Sequence, residues 1–153
     1  MEKVIGFDDL KVGQRVRVKG KLDGDAVKAL EITMQPPEDD ASISGMLESI
    51  NYEKSSLRII GRELAVPQNV EVKDLERNLV SFKNLKAQTM VTVKGKYSPP
   101  NSFVPRLIRM KEMLGLNVEK MKGTIEAIDH EKKTLRLLGF TVQASPKTIV
   151  EAL

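Results

Sequence analysis

Cysteine and tryptophan are absent, histidine occurs once, and aromatic residues make up only 4% of the 153-residue chain. The lack of cysteine excludes disulfides, thiolate metal sites, iron–sulfur clusters and thiol nucleophiles. A single imidazole, His130, leaves little for acid–base catalysis or for a metal site, which usually recruits several such ligands. No P-loop, nucleophile elbow or dinucleotide fingerprint is present. The expectation is a protein that is not an enzyme and carries no cofactor and no metal. Long apolar runs are missing too: nothing approaches the roughly 20 residues of a membrane-spanning helix. Met1 and Glu2 open a short mixed segment in place of a charged-then-apolar leader. No membrane span is expected, and the chain reads either as cytoplasmic or as a mature or excised piece whose export signal lies elsewhere.

What is present suits a folded protein. At 41% hydrophobic, the chain has enough apolar side chain to bury a core. A net charge of +4 and a pI near 9.3 permit binding to nucleic acid or anionic surfaces without demanding it.

Self-similarity organises the chain. Residues 44–61 (SGMLESINYEKSSLRIIG) match residues 122–139 (KGTIEAIDHEKKTLRLLG) without a gap at an offset of 78. Residues 7–22 (FDDLKVGQRVRVKGKL) match residues 82–97 (FKNLKAQTMVTVKGKY) at an offset of 75, and one inserted residue later Ile32 and Met34 fall against Ile108 and Met110. With the first motif (44–61 and 122–139) as the front half of a unit and the second (7–22 and 82–97) as its back half, the order along the chain is back, front, back, front, so only the middle unit, residues 42–111, is continuous. Residues 1–35 and 118–153 would complete a second, permuted unit. Closure within the chain places the two ends side by side, as the termini of compact domains often are. The alternatives are a segment cut from a longer array, or a head-to-tail oligomer in which one molecule's tail completes another's head.

The local pattern is that of strands. Arg15-Val16-Arg17-Val18-Lys19 alternates with period two, which puts the valines on one face and the cations on the other. Val91 and Val93 repeat the inward positions, and Thr92, Lys94 and Lys96 the outward ones. Asn51 to Ser55 and Asp129 to Lys133 read as hairpin turns, and Gly61 and Gly139 as further tight reversals. Pro105 suggests an edge strand or a strand start. Leu75, Leu79 and Phe82, within Lys73 to Phe82, are spaced for a short amphipathic helix. Each unit is therefore about five strands with a short helix between the third and fourth. The predicted fold class is all-β: two small barrels of the oligonucleotide/oligosaccharide-binding (OB-like) type from an internal repeat.

Three motifs carry a family resemblance: G-x-[IL]-E-x-I at Gly45 to Ile50 and Gly123 to Ile128, the L-x-[IL]-x-G strand, and LK-x-x-x-x-V-x-VKG. Together they resemble an uncharacterised bacterial family of small repeated OB-like barrel domains, often found in exported proteins. The resemblance implies a fold and an extracytoplasmic setting, and no activity. The front half is also similar to the periplasmic copper-efflux chaperone, whose metal-site residues are missing here, so copper binding is not implied.

The leading candidate for function is the outward cationic row Arg15, Arg17, Lys19 and Lys21, echoed by Lys94 and Lys96. A barrel strand of this kind can track a phosphate backbone, and the competing reading is a solvated face that guards against edge aggregation. Tyr97 and Phe103 flank the loop Ser98-Pro99-Pro100-Asn101-Ser102, near Arg106 and Arg109, and form a second candidate contact. Phe7 and Phe82 read as core plugs, and Glu48 and Glu126 make no catalytic dyad. The expected function is a non-catalytic binding or assembly module with a protein or polymer partner. Single-stranded nucleic-acid binding through the cationic face is the alternative, weakened by the scarcity of aromatics for base stacking.

Overall fold

The computed structural model describes residues 4–38, 40–99, 102–112 and 119–152. Their strands run β1 (Val4–Ile5), β2 (Arg15–Asp23), β3 (Ala26–Met34), β4 (Ala41–Asn51), β5 (Ser56–Ile59), β6 (Arg62–Ala65) and β7 (Glu71–Lys73). There follow β8 (Leu79–Val80), β9 (Met90–Ser98), β10 (Ser102–Lys111), β11 (Glu119–Asp129), β12 (Thr134–Leu137), β13 (Phe140–Gln143) and β14 (Ile149–Glu151). Helical structure among the described residues is confined to single 3-10 turns at Phe7–Asp9 and Phe82–Asn84. The protein is all-β.

Period-two alternation decides which faces are buried. Val16, Val18, Val91 and Val93 are fully buried, as are Ile32 and Ile108 on the neighbouring strands. Two kinds of local device then bend the strands. At Gly61 and Gly139 the chain reverses with φ of 69° and 78°, values that favour glycine. The Glu48 and Glu126 carboxylates, each at a bulge in its strand, accept the backbone N–H of these same glycines at 2.6 and 3.1 Å. The second device is close backbone approach: a Cβ on Gly20 would overlap the Lys28 carbonyl, and one on Gly95 the Val104 carbonyl. Each of these glycines sits beside a bulge.

Strands β2, β3, β13, β12 and β11 pair in that order, and β11 returns to β2, closing a five-stranded barrel. The β13–β3 ladder is its one parallel step. Strands β4, β5, β6, β10 and β9 follow the same order, except that among the described residues no ladder joins β6 to β10. The two sets meet where β4 pairs antiparallel with β11, with Ile43 opposite Met121, Ser42 opposite Lys122 and Ser44 opposite Lys120. This register maps onto itself under the 78-residue offset, since 43 plus 78 is 121, 42 plus 78 is 120 and 44 plus 78 is 122. One antiparallel sheet therefore runs β3-β2-β11-β4-β9-β10 across both sets. Away from this joint, the Arg62 guanidinium bonds the carbonyls of Leu138 and Gly139 and stacks over Phe140 at 4.0 Å, a second tie.

The helix expected over Lys73 to Phe82 does not form. The Asp74 carboxylate accepts the N–H groups of Glu76 and Asn78 at 3.0 and 2.9 Å, and Arg77 takes a positive φ, which turns the chain into the β7–β8 hairpin. Leu75 and Leu79, spaced as a helical face, are exposed. Phe7 is buried as expected of a core plug, while Phe82 is half-buried against the core edge. Pro105 stands inside β10 at its bulge, where a missing N–H is tolerated, and not at a strand start.

The glycine geometry is testable. Gly20→Ala and Gly95→Ala should each destabilise by about 1–3 kcal/mol in denaturant unfolding, because the added methyl meets backbone that cannot yield. Gly6→Ala, whose nearest added contact is 3.9 Å away, should change stability by less than about 0.5 kcal/mol. Equal effects at all three positions would contradict the close-approach account.

Candidate polyanion interface

The outward face of the six-stranded sheet can be read from its registers, because residues directly opposite in a ladder share a face. One row across the strands runs Thr33, Arg17, Lys122, Ser42, Lys94, Leu107. The next runs Glu31, Lys19, Lys120, Ser44, Thr92, Arg109. These side chains, with Met90, Lys111 and Glu112, line a groove of about 530 Å³, Thr33 and Glu31 excepted. Among the described residues, seven of its lining side chains are cationic (Arg17, Lys19, Lys94, Arg109, Lys111, Lys120 and Lys122), against one carboxylate, Glu112.

The charge is uneven along the groove. On β2 and β11, Arg17 faces Lys122 and Lys19 faces Lys120, so four cations occupy the corners of a square. With strands about 4.8 Å apart and alternate residues about 7 Å apart, this is a dense positive cluster. Like charges directly opposite destabilise a sheet, and among the described residues the one acidic side chain in ion-pair contact with them is Glu31, 3.9 Å from Lys19. Lys120 is held below the ordinary lysine value by burial and then by Lys19, Arg17 and Lys122. Lys111 is lowered in the same way, by burial and then by Arg109, Lys120 and Lys94. Beyond the square, β4 and β9 present hydroxyls, with Ser44 and Thr92 bonded to each other at 2.8 Å.

Two buried side-chain polar atoms stand without a hydrogen-bond partner among the described residues: Arg17 Nε and Thr33 Oγ1. They belong to one cross-strand pair at the edge of the cation square. Native proteins leave few such atoms, and each costs on the order of 1–3 kcal/mol.

Of the candidates read from the sequence, Arg17, Lys19, Lys94 and Arg109 lie in the groove. Arg15 does not belong to an exposed row. It is buried, and its guanidinium bonds the carbonyls of Glu38 and Asp40 at 2.9 and 2.5 Å and the Glu38 carboxylate at 3.3 Å, fastening the segment that leads into β4. Lys21 and Lys96 are exposed but lie past the bulges at Gly20 and Gly95, outside the groove lining. The second candidate contact is dispersed. Phe103 is buried in the core, and Arg106 sits on the β10 bulge and pairs with Asp40 at 2.6 Å. The Tyr97 hydroxyl has its acidity suppressed by burial and by Glu126, and it belongs to a cluster with Arg62 and Arg136. Pro100 and Asn101 of that loop lie outside the described residues. Lys111, Lys120, Lys122, Ser42 and Ser44 are additions. The alternation Lys120-Met121-Lys122 was the available signal, with Met121 buried between two outward lysines.

A family model described as Domain of unknown function (DUF5666) matches residues 1–33, which include β2 and nearly all of β3. No curated protein and no solved structure matches the chain.

The lysine environments set a pH dependence. With Lys111 and Lys120 titrating below 10.5 in the folded protein and near 10.5 when unfolded, the unfolded chain holds more protons in that interval, so stability rises with pH there. A Lys111→Ser/Lys120→Ser variant lacks this gain. Its melting temperature should exceed that of the parent most near neutral pH, with the gap closing as pH rises toward 10.5. A gap independent of pH would contradict the account in which burial, and then repulsion from the neighbouring cations, disfavours the charged lysines.

Proposed function

We propose that the chain is a non-catalytic binding module of two OB-like barrels, residues 42–111 and residues 1–35 with 118–153, that holds a polyanion across the sheet they share. The single observation that carries this reading is the convergence of cations from both sets of strands, Arg17, Lys19, Lys120 and Lys122 from one and Lys94, Arg109 and Lys111 from the other, on one groove. A surface selected only for solubility spreads its charges apart, whereas this one sets four cations opposite one another. In support of the two-barrel reading, the strand orders correspond under the sequence offsets and the joining ladder is its own image. We take the outer barrel to be completed within the chain, through β11 against β2 and β13 against β3, in preference to exchange between molecules.

Single-stranded nucleic acid is the second reading, favoured by the extended cationic track. Among the described residues, the groove lining contains no aromatic side chain on which bases could stack. Recognition is therefore of backbone charge, independent of sequence, with Ser42, Ser44 and Thr92 supplying neutral hydrogen bonds between the cationic ends.

Titration of a labelled single-stranded oligonucleotide over a range of salt concentrations tests this reading. The logarithm of the affinity should fall linearly with the logarithm of salt, and Lys120→Ser/Lys122→Ser should make the slope shallower by about 1.4. Lys54→Ser/Lys132→Ser, which removes equal charge from exposed hairpin turns, should leave the slope unchanged. Absence of binding at micromolar protein and low salt, to the oligonucleotide and to heparin alike, would refute the function.

A further inference from the structure

We propose that the square of Arg17, Lys19, Lys120 and Lys122 is a site for condensed phosphate, that is, for two or more phosphoryl groups joined through anhydride oxygens. The inference rests on the polyanion reading and specifies its ligand.

The first support is an internal control. Under the offsets of 75 and 78, these four residues correspond to Thr92, Lys94, Ser42 and Ser44, which form a second square on β9 and β4 with the same cross-strand pairing. There, three of the four corners are hydroxyls, and two of them satisfy each other at 2.8 Å. An equivalent piece of backbone therefore stands on three neutral corners and one lysine, Lys94, and folding does not require four opposed cations.

The second support is charge matching. With Glu31 beside Lys19, four cations and one carboxylate leave a net charge of three on a patch one strand spacing wide. A phosphodiester backbone brings one charge per nucleotide, and its bases need platforms that the groove lacks. Linked phosphoryl groups concentrate several charges and many acceptor oxygens in the same space, and carry nothing that needs stacking. The third support is Arg17 itself, half-buried in the groove lining beside the three lysines. A guanidinium is suited to two-point contact with a phosphoryl oxygen pair, and lysines supply point charges around it.

The test measures binding and thermal shift with sodium tripolyphosphate, orthophosphate and an oligonucleotide of matched total charge, all at one ionic strength. Tripolyphosphate should bind the parent protein about tenfold or more tightly than the oligonucleotide and raise its melting temperature. Lys120→Ser/Lys122→Ser, which installs the corresponding residues of the second square, should melt no lower than the parent without ligand and lose most of the tripolyphosphate response. The single Lys120→Ser variant, compared with its own unliganded melting point, should lose part of it. An oligonucleotide that binds as tightly as tripolyphosphate would overturn the condensed-phosphate inference and leave polyanion binding standing. Retention of the full tripolyphosphate response in both variants, or a double variant that melts well below the parent, would overturn the assignment of the square. If none of the probes binds, both readings fall together.

Discussion

The antiparallel ladder between β4 and β11 is the contact on which the rest depends. Three residue pairs centred on Ile43 and Met121, both buried, join two sets of strands into one sheet. Without it, Arg17 and Lys19 would not share a sheet face with Lys94 and Arg109, and neither set alone would carry the whole of the cation-lined groove. The symmetric register follows from the period of strand side chains. A slip of one residue would send Ile43 and Met121 outward and the lysines into the core, at a cost far larger than the repulsion they suffer on the surface.

That repulsion is the second theme. Opposed like charges, depressed lysines and an unpartnered guanidinium nitrogen all lie within a few strands, while the equivalent part of β4 and β9 is relaxed and hydroxyl-lined. Binding surfaces commonly sit where local stability has been given up, because the groups that await a ligand are unsatisfied without one. In this protein the strain is electrostatic. The glycine-bearing bulges and the buried valines of β2 and β9 supply a frame stiff enough to hold the charges together.

Much of the fold was legible in the sequence because the relevant signals are local. Period-two alternation located β2 and β9, and paired glycines located the turns at Gly61 and Gly139. The failures came where distant residues decide the outcome. Arg15 alternates with Val16 as an outward residue should, yet carbonyls from Glu38 and Asp40 fold over it. The spacing of Leu75 and Leu79 suits a helix, but the Asp74 side chain competes for the backbone and makes a hairpin. At the candidate site, half of the cation row was visible on β2. Its partners on β11 were not, since the Lys120-Met121-Lys122 alternation acquires meaning only when β11 lies beside β2, about 100 residues away in the chain.

Backbone amide chemical-shift mapping during titration with tripolyphosphate tests most directly whether the shared sheet face is where an anion binds. The account predicts perturbations concentrated at residues 17–19 and 120–122, extending weakly to residues 42–44 and 92–94. Perturbations confined to Tyr97, Arg106 and the hairpin turns, with the sheet face silent, would contradict it.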